Sequence, residues 1–124
     1  MASGTINKYA DGDDTGWIEM TNSDVFTGSI YYRRIGSFVH VVFDTVKLKS
    51  ALTGIQLALL SNGSLPAPFK TVTVMGGAND YKRFGMAQVN TSGGLTFYRY
   101  QNVPNVSQYD ANATIFMNIT YMTA

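Results

Sequence analysis

No cysteine occurs among the 124 residues, which excludes a disulfide framework and every thiolate metal site. Charge is also scarce. Asp, Glu, Lys and Arg make up 14% of the chain, against about a quarter in an ordinary soluble domain, so Ser, Thr, Asn, Gln, Tyr and Gly have to cover the surface. The formal net charge of +1 leaves no electrostatic footprint for a polyanion, and nucleic acid is not an expected partner. No run approaches the ~18 apolar residues of a membrane-crossing helix, so membrane insertion is not expected. The first sixteen residues have neither a basic n-region nor an apolar h-region, and a secretory signal is not expected either.

Acid–base groups are equally few. His40 is the single histidine and Glu19 the single glutamate. A Ser-His-Asp system would need His40 accessible and oriented by a carboxylate. Asp44 shares its face of a predicted strand but stands four residues away, roughly 13 Å, which is out of reach. Most aspartates fall in turns, where they serve side-chain to backbone hydrogen bonds. Two carboxylates facing across a cleft, as glycoside hydrolysis requires, are therefore not expected. Asp11, Asp13 and Asp14 alternate like calcium ligands, yet no glutamate closes the loop, and a solvated turn is the better reading. Gly76-Gly77 and Gly93-Gly94 lack the lysine and following helix of a phosphate loop. Asn-X-Ser/Thr triplets at Asn62, Asn90, Asn105, Asn112 and Asn118 follow from an Asn/Thr-rich composition rather than from secretion. No enzyme activity, cofactor or metal is expected.

What the chain has is strands. Tyr31 to Leu48, YYRRIGSFVHVVFDTVKL, reads as a β-hairpin reversing at Gly36-Ser37. Its second arm places Val39, Val41 and Phe43 on one face and Phe38, His40, Val42 and Asp44 on the other. The first face wants a core. The second is too apolar for free water and too polar for a dry interior, which suits a loop, a ligand or a second subunit. Further strands are expected at Trp17 to Met20, Ile55 to Leu60, Lys70 to Met75, Arg83 to Val89, Leu95 to Tyr100 and Ala113 to Met122. Gly76 to Asp80, Asn90 to Gly94 and Gln101 to Asn112 read as turns or loops. About eight strands without a helical pattern predict an all-β fold, an antiparallel β-sandwich or jelly roll. Residues 1–15 read as a polar leader or linker and 16–124 as one domain, long enough to bury about two thirds of its unfolded surface.

Large apolar groups recur on both faces, at Phe116 opposite Ile115, Met117, Ile119 and Tyr121, and at Tyr31 beside Tyr32. A subunit interface would account for them. Tyrosine offers a ring and a hydroxyl at the cost of two ordered torsions, suited to sugars and protein partners. Arg33, Arg34, Arg83 and Arg99 add forked donors. Trp17, His40, Tyr98, Arg99, Tyr100 and Tyr109 are the candidate ligand-binding residues.

Several segments together resemble the carboxy-terminal domains of bacteriophage tail fibres, baseplate and receptor-binding proteins. They are Trp17-Ile18, Tyr32-Arg33-Arg34-Ile35-Gly36, Val39-His40-Val41, Ile55 to Leu59 leading to Leu65-Pro66-Ala67-Pro68, Gly93-Gly94-Leu95 and the final apolar strand. The chain departs from that pattern at Ser61-Asn62-Gly63-Ser64, an insertion ahead of Leu65-Pro66. The resemblance implies a homotrimeric, non-enzymatic tip that binds a host cell-surface saccharide or cell-wall polymer. It also implies other virion proteins as partners, synthesis in the host cytoplasm, a place on the virion, and a shaft lying outside this chain. The alternative is a structural virion module, a head fibre or tail decoration, without its own ligand. Binding residues occupy no fixed motif positions in that group, so none is carried over.

Overall fold

The computed structural model describes residues 14–52, 54–78, 83–99 and 111–124. Among them are nine strands and no helix. In chain order they are β1 (Ile18–Met20), β2 (Phe26–Ile35), β3 (Phe38–Leu48), β4 (Gln56–Leu60), β5 (Val72–Ala78), β6 (Arg83–Val89), β7 (Leu95–Arg99), β8 (Thr114–Phe116) and β9 (Asn118–Met122). Every pairing is antiparallel, so the all-β antiparallel expectation holds. One sheet runs β1-β2-β3-β8-β5-β6-β7-β4, with β9 also beside β3. It curls until its ends approach. The Asn22 Nδ2 group, ahead of β2, donates to the carbonyl of Leu59 on β4 at 2.9 Å, which leaves a nearly closed barrel with two facing halves.

The β2–β3 hairpin forms where the sequence predicts it. Ile35 pairs with Phe38 around Gly36-Ser37, and only Gly36 of those two has a positive φ, 59°. That is the II′ pattern, which matches the twist of the strands it joins. Val39 and Val41 point inward and are fully buried, as are Val46 and Leu48, although an unbroken alternation would put the latter pair outside. A bulge resolves the conflict. Ser29 pairs with Asp44 and Thr27 with Lys47, so Gly28 alone faces Thr45 and Val46. Thr45 takes a φ of 49°, and the extra residue turns the remainder of β3 back onto the core.

The same bulge divides the last strand, expected as one piece over Ala113 to Met122. Asn118 to Met122 pair with Val42 to Phe38, and Thr114 and Ile115 pair with Lys47 and Val46. Between them β3 has three residues against two, so the ladder breaks at Met117. The predicted faces survive the break: Ile115, Met117, Ile119 and Tyr121 are buried. In β6 the prediction holds as well, with Gly85, Ala87 and Val89 inside and Phe84 and Met86 outside.

Two expectations are corrected. Gly76 to Ala78, read as a turn, continue β5 and pair with Gly85 to Arg83. Glycine is needed there because a Cβ on Gly76 would overlap the Phe116 carbonyl and the Met117 side chain; a strand glycine here marks close backbone approach rather than reversal. Ile55 to Leu60, read as a strand, would bury one face by alternation. Instead Ile55 is exposed and the neighbours Leu59 and Leu60 are both buried, because the register with β7 shifts between Ala58 and Leu60.

Loops are tied to this frame by specific hydrogen bonds. Asn90 Oδ1 accepts from the backbone N–H groups of Ser92 and Gly94, and its Nδ2 donates to Asn62 Oδ1 at 3.0 Å. Both asparagines thus have structural work in the β6–β7 reversal. The Tyr121 hydroxyl donates to the Pro66 carbonyl at 2.7 Å. Burial, with Tyr32 nearby, pushes that hydroxyl above the ordinary tyrosine range, so it stays a protonated donor.

Candidate functional site

The outer face of the β1-β2-β3-β9 half is built by cross-strand register. Arg33 pairs with His40 and His40 with Thr120; Tyr31 pairs with Val42 and Val42 with Asn118; Glu19 pairs with Tyr31. Residues paired across antiparallel strands share a face. These rows therefore lie side by side, away from the buried Ile30, Val39, Val41 and Ile119. Trp17, one residue ahead of β1, lies against this face. Its ring centroid is 5.8 Å from that of His40, tilted 58°, and half of the residue (51%) remains exposed.

Two clefts flank the indole. One, of about 260 Å3, is lined by Trp17, Tyr31, Val42, Phe43 and Asp44. The other, of about 200 Å3, includes Trp17, Arg33, Phe38, His40 and Thr120. Polar groups stand along both. Glu19 Oε2 accepts from Ser29 Oγ at 2.5 Å and from the Tyr31 hydroxyl at 3.3 Å. This arrangement can take a flat apolar surface against the indole while hydroxyls meet carboxylate, hydroxyl and guanidinium groups at its edge. Among the described residues no three His, Asp or Glu side chains gather.

The approach to Trp17 is held by an ion pair. Arg33 donates through Nε to Asp14 Oδ1 at 3.0 Å and through Nη2 to Asp14 Oδ2 at 2.6 Å, a two-pronged contact that fixes orientation. The Gly16 N–H donates to the same carboxylate at 2.8 Å. Thr15 N–H donates to the Arg34 carbonyl, and Arg34 N–H to Thr15 Oγ1. Asp14, read from the sequence as part of a solvated acidic turn, is thereby a positioning residue for Trp17. Its hydrogen bonds from Arg33 and Gly16 lower the carboxyl from 3.8 to about 2.

A depressed folded-state value means that the ion pair is intact above about pH 4 and is lost as pH falls towards 2. Trp17 is the single tryptophan, so its emission reports this region directly. A shift in that emission is expected between about pH 4 and 2, as the Asp14 carboxyl gains its proton. Asp14→Asn should remove that step; an unchanged titration in the variant would show that Asp14 does not hold Trp17.

The four candidates among the described residues are not brought together as a group. Trp17 and His40 meet. Tyr98 lies on β7, four strands from β3 along the sheet, where its hydroxyl donates to Gln88 Oε1 at 3.3 Å. Arg99 ends β7 and pairs through its backbone with Gly85. Tyr100 and Tyr109 lie outside the described residues. The alternation of β3 already put Phe38, Val42 and Asp44 on the face of His40. Tyr31, Arg33 and Thr120 join them only through pairing, which no local pattern discloses. Comparison with protein-family models, curated proteins and solved structures finds no match to this chain.

Proposed function

We propose that this domain is a non-enzymatic recognition module that binds a host cell-surface saccharide or cell-wall polymer on the Trp17–His40 face. It acts as the homotrimeric tip of a phage tail fibre or similar particle. The observation that supports it is the half-exposed indole standing between two shallow clefts edged by hydroxyl, carboxylate and guanidinium groups. A pyranose presents one apolar face and a rim of hydroxyls, the complement of that surface. Open clefts of this size make few contacts with one sugar unit, and several copies on one particle raise weak affinity through effective concentration. The particle itself rests on the resemblance of the Trp17, Tyr32 to Gly36 and Leu65-Pro66 segments. Other virion proteins, synthesis in the host cytoplasm and a place on the virion belong to the same reading.

Titration of Trp17 emission with host cell-wall fragments tests it. Saccharide is expected to quench or blue-shift the emission. Trp17→Ala, followed by calorimetry, should weaken binding at least tenfold, about 1.4 kcal/mol, with His40→Ala severalfold weaker and Tyr98→Ala unchanged. Wild-type affinity in Trp17→Ala would remove the site assignment. A second reading, the structural virion module, is supported by the exposed Met75, Phe84 and Met86, which assembly alone would cover. It predicts whole-particle association without any saccharide response.

A further inference from the structure

The two clefts beside Trp17 differ in charge. The second holds Arg33, which already has Asp14 as its counter-ion, together with His40. The first is walled by three aromatic residues, Trp17, Tyr31 and Phe43, with Val42, and its one charged lining group is the Asp44 carboxylate. A second carboxylate stands at its edge. Glu19 Oε2 accepts from the hydroxyl of Tyr31, a lining residue, and from Ser29 Oγ, while Ser29 is the residue paired with Asp44. Glu19 and Asp44 therefore flank the same short stretch of β2.

Among the described residues neither carboxylate has a cation. The ion pair there joins Arg33 to Asp14, whereas Glu19 accepts from the hydroxyls of Ser29 and Tyr31 and Asp44 from that of Thr45. Lys47 follows Asp44 on β3 by three residues, roughly 10 Å, where it pairs with Thr27 and Thr114. Lys49 donates to the Ser23 carbonyl. His40 lines the second cleft and not the first. Two carboxylates beside one cleft repel an anion and attract a cation, and an ammonium makes shorter, stronger hydrogen bonds to them than a hydroxyl does. The faces of Trp17 and Tyr31 act in the same direction, because the aromatic quadrupole is negative at the ring face. A neutral pyranose uses the rings and leaves both charges uncompensated. A saccharide that carries a protonated amine uses both.

We propose that the first cleft selects an amino sugar, its ammonium group held by Asp44 and Glu19 while its apolar face lies on Trp17. This deepens the saccharide reading of the site and rests on it. Asp44 and Glu19 are then the specificity-determining residues, and Trp17 supplies affinity that any pyranose shares.

Short oligomers of glucosamine, N-acetylglucosamine and glucose with the same linkage test the assignment, since they share a backbone and differ in charge. At a pH where the amine is protonated, Trp17 emission and calorimetry should show the glucosamine oligomer bound about tenfold tighter than either neutral one. Asp44→Asn should remove most of that preference and Glu19→Gln part of it. The readout is the ratio of affinities, because a general loss of packing would weaken all three oligomers alike. Both residues are exposed and both substitutions keep a hydrogen-bond acceptor, so far-UV circular dichroism should be unchanged. Equal affinities in the wild type, no response to the glucosamine oligomer, tighter binding of a galacturonic acid oligomer, or a preference that survives in the double variant would each overturn the amine selection. In any of those cases a Trp17 response to the neutral oligomers or to host cell-wall fragments leaves the saccharide reading standing. Silence towards every one of these saccharides would remove both.

Discussion

Gly28→Ala is expected to lower the stability of this domain by about 4 kcal/mol, a loss reached only where a backbone position tolerates no side chain. Two costs combine. Gly28 has a φ of 87°, a region that costs an L-residue about 1–2 kcal/mol. A Cβ there would also overlap the carbonyl of Thr45, with the carbonyl oxygen of Asp44 at 2.8 Å. Those carbonyls belong to the bulge that turns Val46 and Leu48 inward, so they cannot retreat without exposing core residues. Gly63 supplies the control. Its φ is 86°, nearly the same, but nothing lies within 4 Å of an added Cβ, and Gly63→Ala should cost only the conformational part, about 1 kcal/mol. Urea denaturation of both variants separates the two costs. Equal midpoints would show that the bulge does not press on Gly28.

A loss of similar size is expected from Phe97→Ala, about 4 kcal/mol, as for other buried aromatic residues cut to alanine. Phe97 is fully buried, paired with Ala87 on β6 and Leu57 on β4, so it fills the core of the second half. Its ring lies over Gly85, where a Cβ would overlap the ring edge. Gly85→Ala is therefore expected to cost about 2–3 kcal/mol by overpacking. The two positions should be coupled. In a Phe97→Leu background, Gly85→Ala should be milder by about 1 kcal/mol or more, because the shorter side chain vacates the contested space. Thermal unfolding of the four-member cycle measures the coupling. Strict additivity would mean that the ring and Gly85 do not touch.

Much of the architecture was legible from local chemistry. The II′ reversal needs only Gly36 followed by Ser37 between apolar alternations, and β6 declares its faces by placing Gly85, Ala87 and Val89 against Phe84 and Met86. The limits of that reading are also physical. Gly76-Gly77 looks like a turn to any local rule, since only the approach of Phe116 and Met117 from β8 and the residue after it explains a glycine inside β5. Leu59 and Leu60 are neighbours in a strand, and nothing nearby in the chain announces the shift against β7 that buries both.

The candidate site divides in the same way. Trp17 and His40 stand out as residue types, rare and chemically suited to a ligand, and the alternation of β3 already placed His40 outside with Phe38, Val42 and Asp44. Grouping them with Tyr98 rested on type alone, and the sheet order puts that residue on the other half. Asp14 resembled a turn aspartate until its own bridge to Ile35 of β2 set it against Arg33.

By itself the sequence determined the strand content, the hairpin reversal, the inward faces of β6 and of the closing strands, and the absence of thiol chemistry. These follow from residue type and from a side-chain period of two, both readable within a few positions. Tertiary structure alone decided the bulge at Thr45, the break at Met117, the ion pair behind Trp17 and the meeting of Trp17 with His40. Each of these depends on which distant strand becomes the neighbour, and that choice is made by burying Val39, Val41, Ile119 and Phe97 together in one core.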